Sequence, residues 1–354
     1  MPVNTSRTTY REHTDTENIL KLRQVLSTLP AFCKDYFRAI DSTTTTKTRI
    51  SYAYDIRIFF QFLLDENPAF KNYAMTDFSV EILDQIKAVD LEEYMEYLKV
   101  YQNGDKTETN GERGLKRKIS ALRSFYAYYY KREMIQTNPT VLIDVPKIHD
   151  KSIIRLDTDE VALLLDYIEH CGDSLTGQKR IYYEKTKERD LAIVTLLLGT
   201  GIRVSECVGL DIEDVDFKNN GIKVTRKGGN EMVVYFGEEV EKALKRYLEV
   251  RAGITPLAGH EHALFYSAQR KRMGVQAVEN MVKKYSRQIT TTKKITPHKL
   301  RSTYGTALYQ ETGDIYLVAD VLGHKDVNTT KKHYAALDDA RRRQAATAVR
   351  LRED

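Results

Sequence analysis

The sequence predicts a mainly α fold, in which a helical N-terminal domain precedes a mostly helical C-terminal domain with a small antiparallel sheet. Apolar residues recur at helical spacing through most of the chain, and the clearest strand-like runs are 222–226 and 232–236. A non-periodic segment with two prolines, 138–150, separates the two parts. At 354 residues, the chain is long enough for two domains that each bury a core.

The first part is predicted to be helical almost throughout. In its last helix, Ile119, Leu122 and Phe125 belong to an apolar stripe, while Lys116 and Arg117 lie off that stripe. One face is therefore expected to pack and another to stay basic. The polar stretch 103–113 is expected to be a loop. The predicted helices are 16–28, 32–40, 46–66, 79–86, 90–101 and 114–133.

The second part is predicted to begin with a capped helix over 161–168. The apolar run 190–198 predicts a buried helix that ends at the glycines of 199–201. The runs 222–226 and 232–236 flank a Lys-Gly-Gly-Asn turn, which is typical of a hairpin, and helices are expected from there on. The predicted domains are an N-terminal helical extension at 1–44, a helical core domain at 45–140, a linker at 141–153 and a catalytic domain at 154–354.

The sequence lacks the motifs of several functional classes. Its three cysteines are scattered, which predicts neither a disulfide framework nor a zinc site. His260 and His262 are expected to be surface residues, and no nucleotide-binding loop is present, so no metal and no cofactor are expected. The chain has no apolar signal core and no apolar run of about 20 residues, so we expect a cytoplasmic protein without a membrane partner.

Two basic stretches point to nucleic acid. The net charge is only +5, but 113–132 holds seven basic residues and no acid, and 267–301 holds ten basic residues and one acid. Each stretch alone is compatible with a solvated helix face, whereas two of them in one chain favour phosphate contacts. The candidate DNA-binding residues are Lys116, Arg117, Lys118, Arg123, Arg270, Lys271, Arg272, Lys283 and Lys284.

Five residues in the second part are suited to phosphate chemistry. Arg203 follows a glycine turn, and His298 and Arg301 lie one helical turn apart. His324 follows Leu322-Gly323, and Tyr334 lies ten residues later. Two guanidinium groups can hold a phosphate while a tyrosine supplies the nucleophile. Each residue also has an ordinary interpretation, since Arg203 can pair with Glu206, His298 can cap a helix and Tyr334 can pack in a core.

The order of these blocks resembles the signature of the tyrosine site-specific recombinases, the family of phage integrases and Xer proteins. The blocks are Gly201-Ile-Arg-Val-Ser-Glu206, Lys227-Gly228, His298-Lys-Leu-Arg301, Leu322-Gly-His324 and Tyr334. The segments VTRKGGN, ITPHKLR and STLPAFCKDYFRAI are most similar to the XerS type, a Xer protein that works without a second recombinase. The likeness covers about residues 20–350 and is strongest in the second half.

The resemblance implies a role for each matched residue. Tyr334 would attack a scissile DNA phosphate and form a 3′-phosphotyrosyl bond, while Arg203 and Arg301 hold the phosphate oxygens. His298 and His324 would assist with hydrogen bonds and protons, Lys227 would protonate the leaving 5′-oxygen, and Glu206 would support the site. No ATP or metal is then needed, because the phosphotyrosyl bond conserves the energy of the broken phosphodiester.

Three features depart from the family pattern. The spacing from His324 to Tyr334 is one residue longer than the usual nine, and Ser302 stands where many members carry a second histidine. Lys227 is assigned from the hairpin alignment, so Lys223 is the alternative proton donor.

The resemblance also implies the partners: a double-stranded DNA recombination site and a homotetramer on two such sites, with a Holliday junction as intermediate. The tail after Tyr334 is expected to dock on a neighbouring protomer. The biological role would be Xer-like chromosome dimer resolution; the alternatives are an integrase of a phage or conjugative element and a catalytically inert DNA-binding protein. The DNA target and any accessory protein are not specified by the sequence.

Overall fold

A computed structural model describes residues 9–147, 153–226, 229–324 and 326–334, and it divides the chain into two compact units, 1–150 and 151–354. Both units are mostly helical, and each contains one small antiparallel sheet. The mainly α prediction is therefore confirmed. No helix in the described ranges is both long and apolar enough to span a bilayer.

In its described residues, the first unit packs six α-helices around an aromatic core. The ring of Phe125 lies 5.2 Å from that of Tyr36 and 5.0 Å from that of Tyr129, and all three side chains are fully buried. Residues preceding position 45 share this core, since Leu22, Val25 and Tyr36 belong to it. The elements are α1 (Tyr10–Leu26), α2 (Cys33–Ala39), α3 (Thr46–Glu66), α4 (Ile82–Gln85), α5 (Ala88–Tyr97), β1 (Val100–Asn103), β2 (Lys106–Thr109) and α6 (Glu112–Tyr130).

Three predictions for this unit are wrong. The helix expected over 90–101 ends at Tyr97, and the loop expected over 103–113 contains β2, which pairs antiparallel with β1. The two strands join across Gly104, whose φ of +61° suits a tight turn. The Asn110 side chain holds the hairpin closed by donating to the Leu98 carbonyl at 2.7 Å. The helix expected over 79–86 is reduced to the single turn of α4.

The second unit is organised around one long buried helix. Its elements are α7 (Thr158–His170), α8 (Gly177–Thr200), α9 (Val204–Gly209), β3 (Val215–Asp216), β4 (Gly221–Thr225), β5 (Glu231–Tyr235), α10 (Glu238–Ala252), α11 (Val275–Ile289), α12 (Pro297–Thr312), α13 (Ile315–Leu322) and α14 (Val327–Tyr334). Helix α8 packs against α7, α10 and α12. The strands form one antiparallel sheet in the order β3-β4-β5.

The end of α8 directs the chain into the candidate site. Gly201 ends the helix with a φ of +62°, and its N–H donates to the Leu197 carbonyl at 3.1 Å. A Cβ at this position would lie 2.3 Å from the Tyr304 ring. Glycine is therefore required both by the left-handed backbone and by the close packing of α12.

Candidate active site

Arg203 is fixed at the start of α9 by Glu206. The Arg203 N–H donates to the Glu206 carboxylate at 2.8 Å, and its guanidinium donates to the same carboxylate at 2.7 Å. The Glu206 side chain is only 3% exposed, whereas that of Arg203 is 34% exposed. A second guanidinium nitrogen of Arg203 donates to the Gly323 carbonyl at 3.3 Å. Pairing with Glu206 therefore orients Arg203 and leaves part of its guanidinium accessible.

Arg301 is held more deeply than Arg203. It lies in the second turn of α12 and is 4% exposed. Its guanidinium donates to the Gly201 carbonyl at 2.5 Å and to the Leu322 carbonyl. Arg301 thereby ties the turn after α8 to the end of α13.

Three consecutive carbonyls at the end of α13 each accept a hydrogen bond from a different arginine. Arg226, at the end of β4, donates to Val321 at 2.7 Å, Arg301 donates to Leu322, and Arg203 donates to Gly323. The last carbonyls of a helix lack partners within the helix and carry partial negative charge, so they attract cations. The end of α13 thus gathers three guanidinium groups from three different elements. We call residues 321–323 the carbonyl triplet.

The two histidines occupy different surroundings. His298 is the second residue of α12 and is exposed. The N–H of His324 donates to the Ala319 carbonyl at 2.9 Å, which continues the turn at Gly323. Its ring nitrogen Nδ1 lies 2.7 Å from the hydroxyl of Thr330, a fully buried residue of α14. The Thr330 hydroxyl therefore sets the ring orientation of His324.

The structure places the two remaining candidates only in part. Helix α14 ends at Tyr334. Lys227 lies outside the described residues. The alternative lysine, Lys223, has a side chain that is 51% exposed, with Nζ 3.6 Å from a Glu231 oxygen and 3.9 Å from an Asp214 oxygen.

The basic stretch in α6 divides into exposed and internally engaged residues. Lys116 and Arg117 are exposed, and Arg117 pairs with Asp55 of α3. Lys118 is 6% exposed, with Nζ 3.5 Å from the Asp55 carboxylate. Burial raises the pKa of Asp55 and lowers that of Lys118, while each charge opposes the shift of the other. Arg123 donates to the carbonyls of Thr140 at 3.0 Å and Ile143 at 2.7 Å, so it braces the end of the unit.

The basic stretch in the second unit divides in the same way. Arg270, Lys271, Lys283 and Lys284 are exposed. Arg272 instead donates to the carbonyls of Val208 and Leu210 and pairs with Asp211. The DNA contacts of all the candidate basic residues stay predictions, but Lys118, Arg123 and Arg272 are occupied by contacts inside their own units.

Sequence reasoning missed Arg226. Ile222 and Val224 are buried residues of β4, and Arg226 is separated from Val224 by two positions, so strand alternation places its side chain on the same side. That alternation is the signal that could have identified it.

The described residues contain no group of three or more His, Cys, Asp or Glu side chains that could hold a metal ion. His262 instead contacts Glu213, with Nδ1 2.5 Å from a carboxylate oxygen. This contact accounts for the histidine as part of a surface hydrogen bond.

Comparison with solved structures defines the class of fold. The chain superposes on the XerH site-specific recombinase bound to palindromic difH substrate with a TM-score of 0.63, covering 97% of this chain and 90% of that one at 19% identity. It superposes on the Tn1549 transposon integrase in complex with circular intermediate DNA with a TM-score of 0.62, covering 88% and 98% at 21% identity. The fold is that of the tyrosine recombinases.

Sequence comparison places the chain in a family. The phage integrase family profile matches residues 155–341, more than half of the chain. The chain is 33% identical to the tyrosine recombinase XerC of Caldanaerobacter subterraneus subsp. tengcongensis, over 90% of this chain and 86% of that protein. It is 31% identical to the tyrosine recombinase XerS of Lactococcus lactis subsp. cremoris strain MG1363, over 89% and 93%. The protein belongs to the phage integrase family.

The role of Arg301 as a structural tie can be tested through stability. Arg301→Ala leaves the carbonyls of Gly201 and Leu322 without their charged donor, so we expect the free energy of unfolding to fall by about 3 kcal/mol. Lys223→Ala removes only exposed ion pairs and is expected to cost less than about 1 kcal/mol. Urea unfolding followed by circular dichroism measures both. Equal effects of the two substitutions would contradict the structural role of Arg301.

Proposed function

We propose that this protein is a site-specific DNA recombinase that cuts and rejoins DNA through a 3′-phosphotyrosyl intermediate. The observation that carries the proposal is the attachment of Arg203 and Arg301 to adjacent carbonyls of the carbonyl triplet. Two guanidinium groups anchored on one short segment cannot separate freely, so they can hold one phosphate from two sides. Such preorganised donors stabilise the charge that develops on the oxygens of a phosphate under attack.

The proposed cleavage is a transesterification. The phenol oxygen of Tyr334 attacks the scissile phosphorus, and the phenol proton passes to a base of the site, for which His298 and His324 are the candidates. The bond from phosphorus to the 5′-oxygen breaks, and its electron pair stays on that oxygen. Lys227 supplies a proton, which yields a free 5′-hydroxyl. Rejoining reverses these steps with the 5′-hydroxyl of another strand.

Lysine is the better proton donor on the hairpin. An ammonium group can release a proton at accessible pH, whereas a guanidinium group stays charged. Lys223 is the weaker candidate because its ammonium group is already paired with the carboxylates of Asp214 and Glu231. We therefore assign proton donation to Lys227.

The proposed DNA surface consists of the exposed part of the two basic stretches. We retain Lys116 and Arg117 in the first unit and four residues in the second: Arg270, Lys271, Lys283 and Lys284. These side chains can reach phosphates, and such contacts position a protein on DNA without reading its sequence. Lys118, Arg123 and Arg272 are left out because their side chains are buried or half-buried as well as engaged with Asp55, with backbone carbonyls and with Asp211. Arg117 also pairs with Asp55 but is exposed.

We further propose Xer-like chromosome dimer resolution as the biological role, by a homotetramer assembled on two DNA sites. The similarity to XerC and XerS proteins over about nine tenths of this chain supports this role. The tail that we expect to dock on a neighbouring protomer follows Tyr334 and lies outside the described residues. A mobile-element integrase would use the same chemistry, and the location of the cleaved site, chromosomal or at an element end, distinguishes the two.

The nucleophile can be identified by trapping the covalent intermediate. We expect wild-type protein to form a covalent adduct with nicked duplexes carrying candidate recombination sites, and Tyr334→Phe to form none, because the phenyl ring has no attacking oxygen. Tyr316→Phe is the matched control, since Tyr316 is the preceding tyrosine in the chain and is 70% exposed. Denaturing gels detect the adduct. An adduct that persists in Tyr334→Phe would move the nucleophile to another residue.

The division of the α6 basic stretch can be tested with two neighbouring lysines. Lys116→Ala should weaken DNA binding and reduce the slope of log K against log salt concentration by about 0.9, the effect of one phosphate contact. Lys118→Ala should leave that slope unchanged and lower the free energy of unfolding by about 3 kcal/mol, because it removes a buried partner of Asp55. Binding titrations at several salt concentrations and urea unfolding separate the effects. A reduced slope in Lys118→Ala would restore this residue to the DNA surface.

A further inference from the structure

Arg226 closes the base of the turn between β4 and β5. Its N–H donates to the Asn230 carbonyl at 2.7 Å, and its own carbonyl accepts from the Gly229 N–H at 2.9 Å. Two hydrogen bonds therefore join Arg226 to the residues that lead into β5. A displacement of Arg226 would disturb this contact between the end of β4 and the start of β5.

The side chain of Arg226 attaches the same point to the end of α13. One guanidinium nitrogen, Nη2, donates to the Val321 carbonyl at 2.7 Å. The other terminal nitrogen, Nη1, packs against Gly323, where a Cβ would lie 1.6 Å from it and 2.5 Å from Cζ. Gly323 has a φ of +60°, so the left-handed turn and the absence of a side chain together create the space that the guanidinium fills.

The electrostatic surroundings of Arg226 are those of the site. Burial lowers the pKa of its guanidinium, an effect opposed by the charge of Glu206 and reinforced by that of Arg203. Within the described parts of the chain, Nε and Nη1 are buried without a hydrogen-bond partner. Buried donors without partners are rare in folded proteins, and a functional role is one explanation for them.

We propose that Arg226 is a positioning residue for strand cleavage, which fixes the end of β4, directly before Lys227 in the sequence, to the carbonyl triplet that also holds Arg203 and Arg301. The inference rests on the proposed function, because it assumes that Lys227 protonates the leaving 5′-oxygen. Arg226 itself transfers no proton. It acts by aligning the proton donor with the phosphate, and a misplacement of about 1 Å in such a site can cost about 100-fold in rate.

The choice of leaving group separates this role from phosphate binding. In a duplex with a 5′-bridging sulfur at the scissile phosphate, the bond from phosphorus to sulfur breaks and the electron pair leaves on sulfur. A thiolate is a stable leaving group near neutral pH and needs no added proton, because thiols are far more acidic than alcohols. A defect in proton donation is therefore repaired by sulfur, whereas a defect in holding the phosphate is not.

The experiment compares single-turnover adduct formation on oxygen and sulfur duplexes of the same sequence. We expect Arg226→Ala to cut the oxygen duplex about 10- to 100-fold more slowly than wild type, part of the contribution of a general acid. It should cut the sulfur duplex within a few-fold of the wild-type rate. Arg226→Lys, which can still donate to Val321 but does not fill the space at Gly323, should show the same pattern to a smaller degree. Both rates come from one protein sample, so partial unfolding lowers them together and leaves their ratio unchanged.

Reference variants define each outcome. Lys227→Ala should, like Arg226→Ala, cut the oxygen duplex slowly and the sulfur duplex at close to the wild-type rate. Arg203→Ala should be slow on both duplexes. Lys242→Ala, which removes an exposed cation of α10, should behave as wild type. Equal losses on both duplexes in Arg226→Ala and Arg226→Lys, or no loss in either, would overturn the positioning role. So would a Lys227→Ala defect that sulfur does not repair. Failure of wild-type protein to cut either duplex would instead overturn the proposed function, and this inference with it.

Discussion

The second unit depends on how the end of α13 is capped. Its last carbonyls, at Val321, Leu322 and Gly323, have no partners within the helix, and three guanidinium groups satisfy them. These groups come from the residue after β4, from α12 and from the start of α9, so one helix end joins the β4–β5 hairpin, helix α12 and the glycine turn after α8. Because the arginines are charged, a contact that stabilises the fold also concentrates positive charge at one point.

Two glycines make this arrangement sterically possible. Gly201 and Gly323 both adopt a left-handed backbone, and a Cβ on either would collide with a neighbouring side chain. The Gly201 carbonyl accepts from Arg301, and Gly323 lies against Arg226 while its carbonyl accepts from Arg203. At this site, the glycine backbone therefore lies in direct contact with the charged arginine side chains. Its arginines are oriented by the protein alone, so little further ordering is needed when a phosphate binds.

Local signals in the sequence predicted much of this fold. Helix α3 spans the predicted 46–66, because a threonine cap and a continuous apolar stripe define it, and the β4–β5 hairpin lies within a residue of its prediction. Long-range contacts could not be predicted. The burial of Lys118 depends on Asp55, 63 positions earlier, and the carbonyl triplet uses backbone atoms that every residue possesses. The β1–β2 hairpin was missed because its strands have only four residues each and carry few apolar side chains.

The central claim is that Arg203 and Arg301 form one phosphate site because the carbonyl triplet holds them together. The most direct measurement is an experimental structure of Tyr334→Phe bound to a cleavable DNA site. We expect both guanidinium groups to donate to the same scissile phosphate while the bonds to Leu322 and Gly323 persist. Guanidinium groups on different phosphates, or arginines that have left the end of α13 to reach the DNA, would contradict the claim.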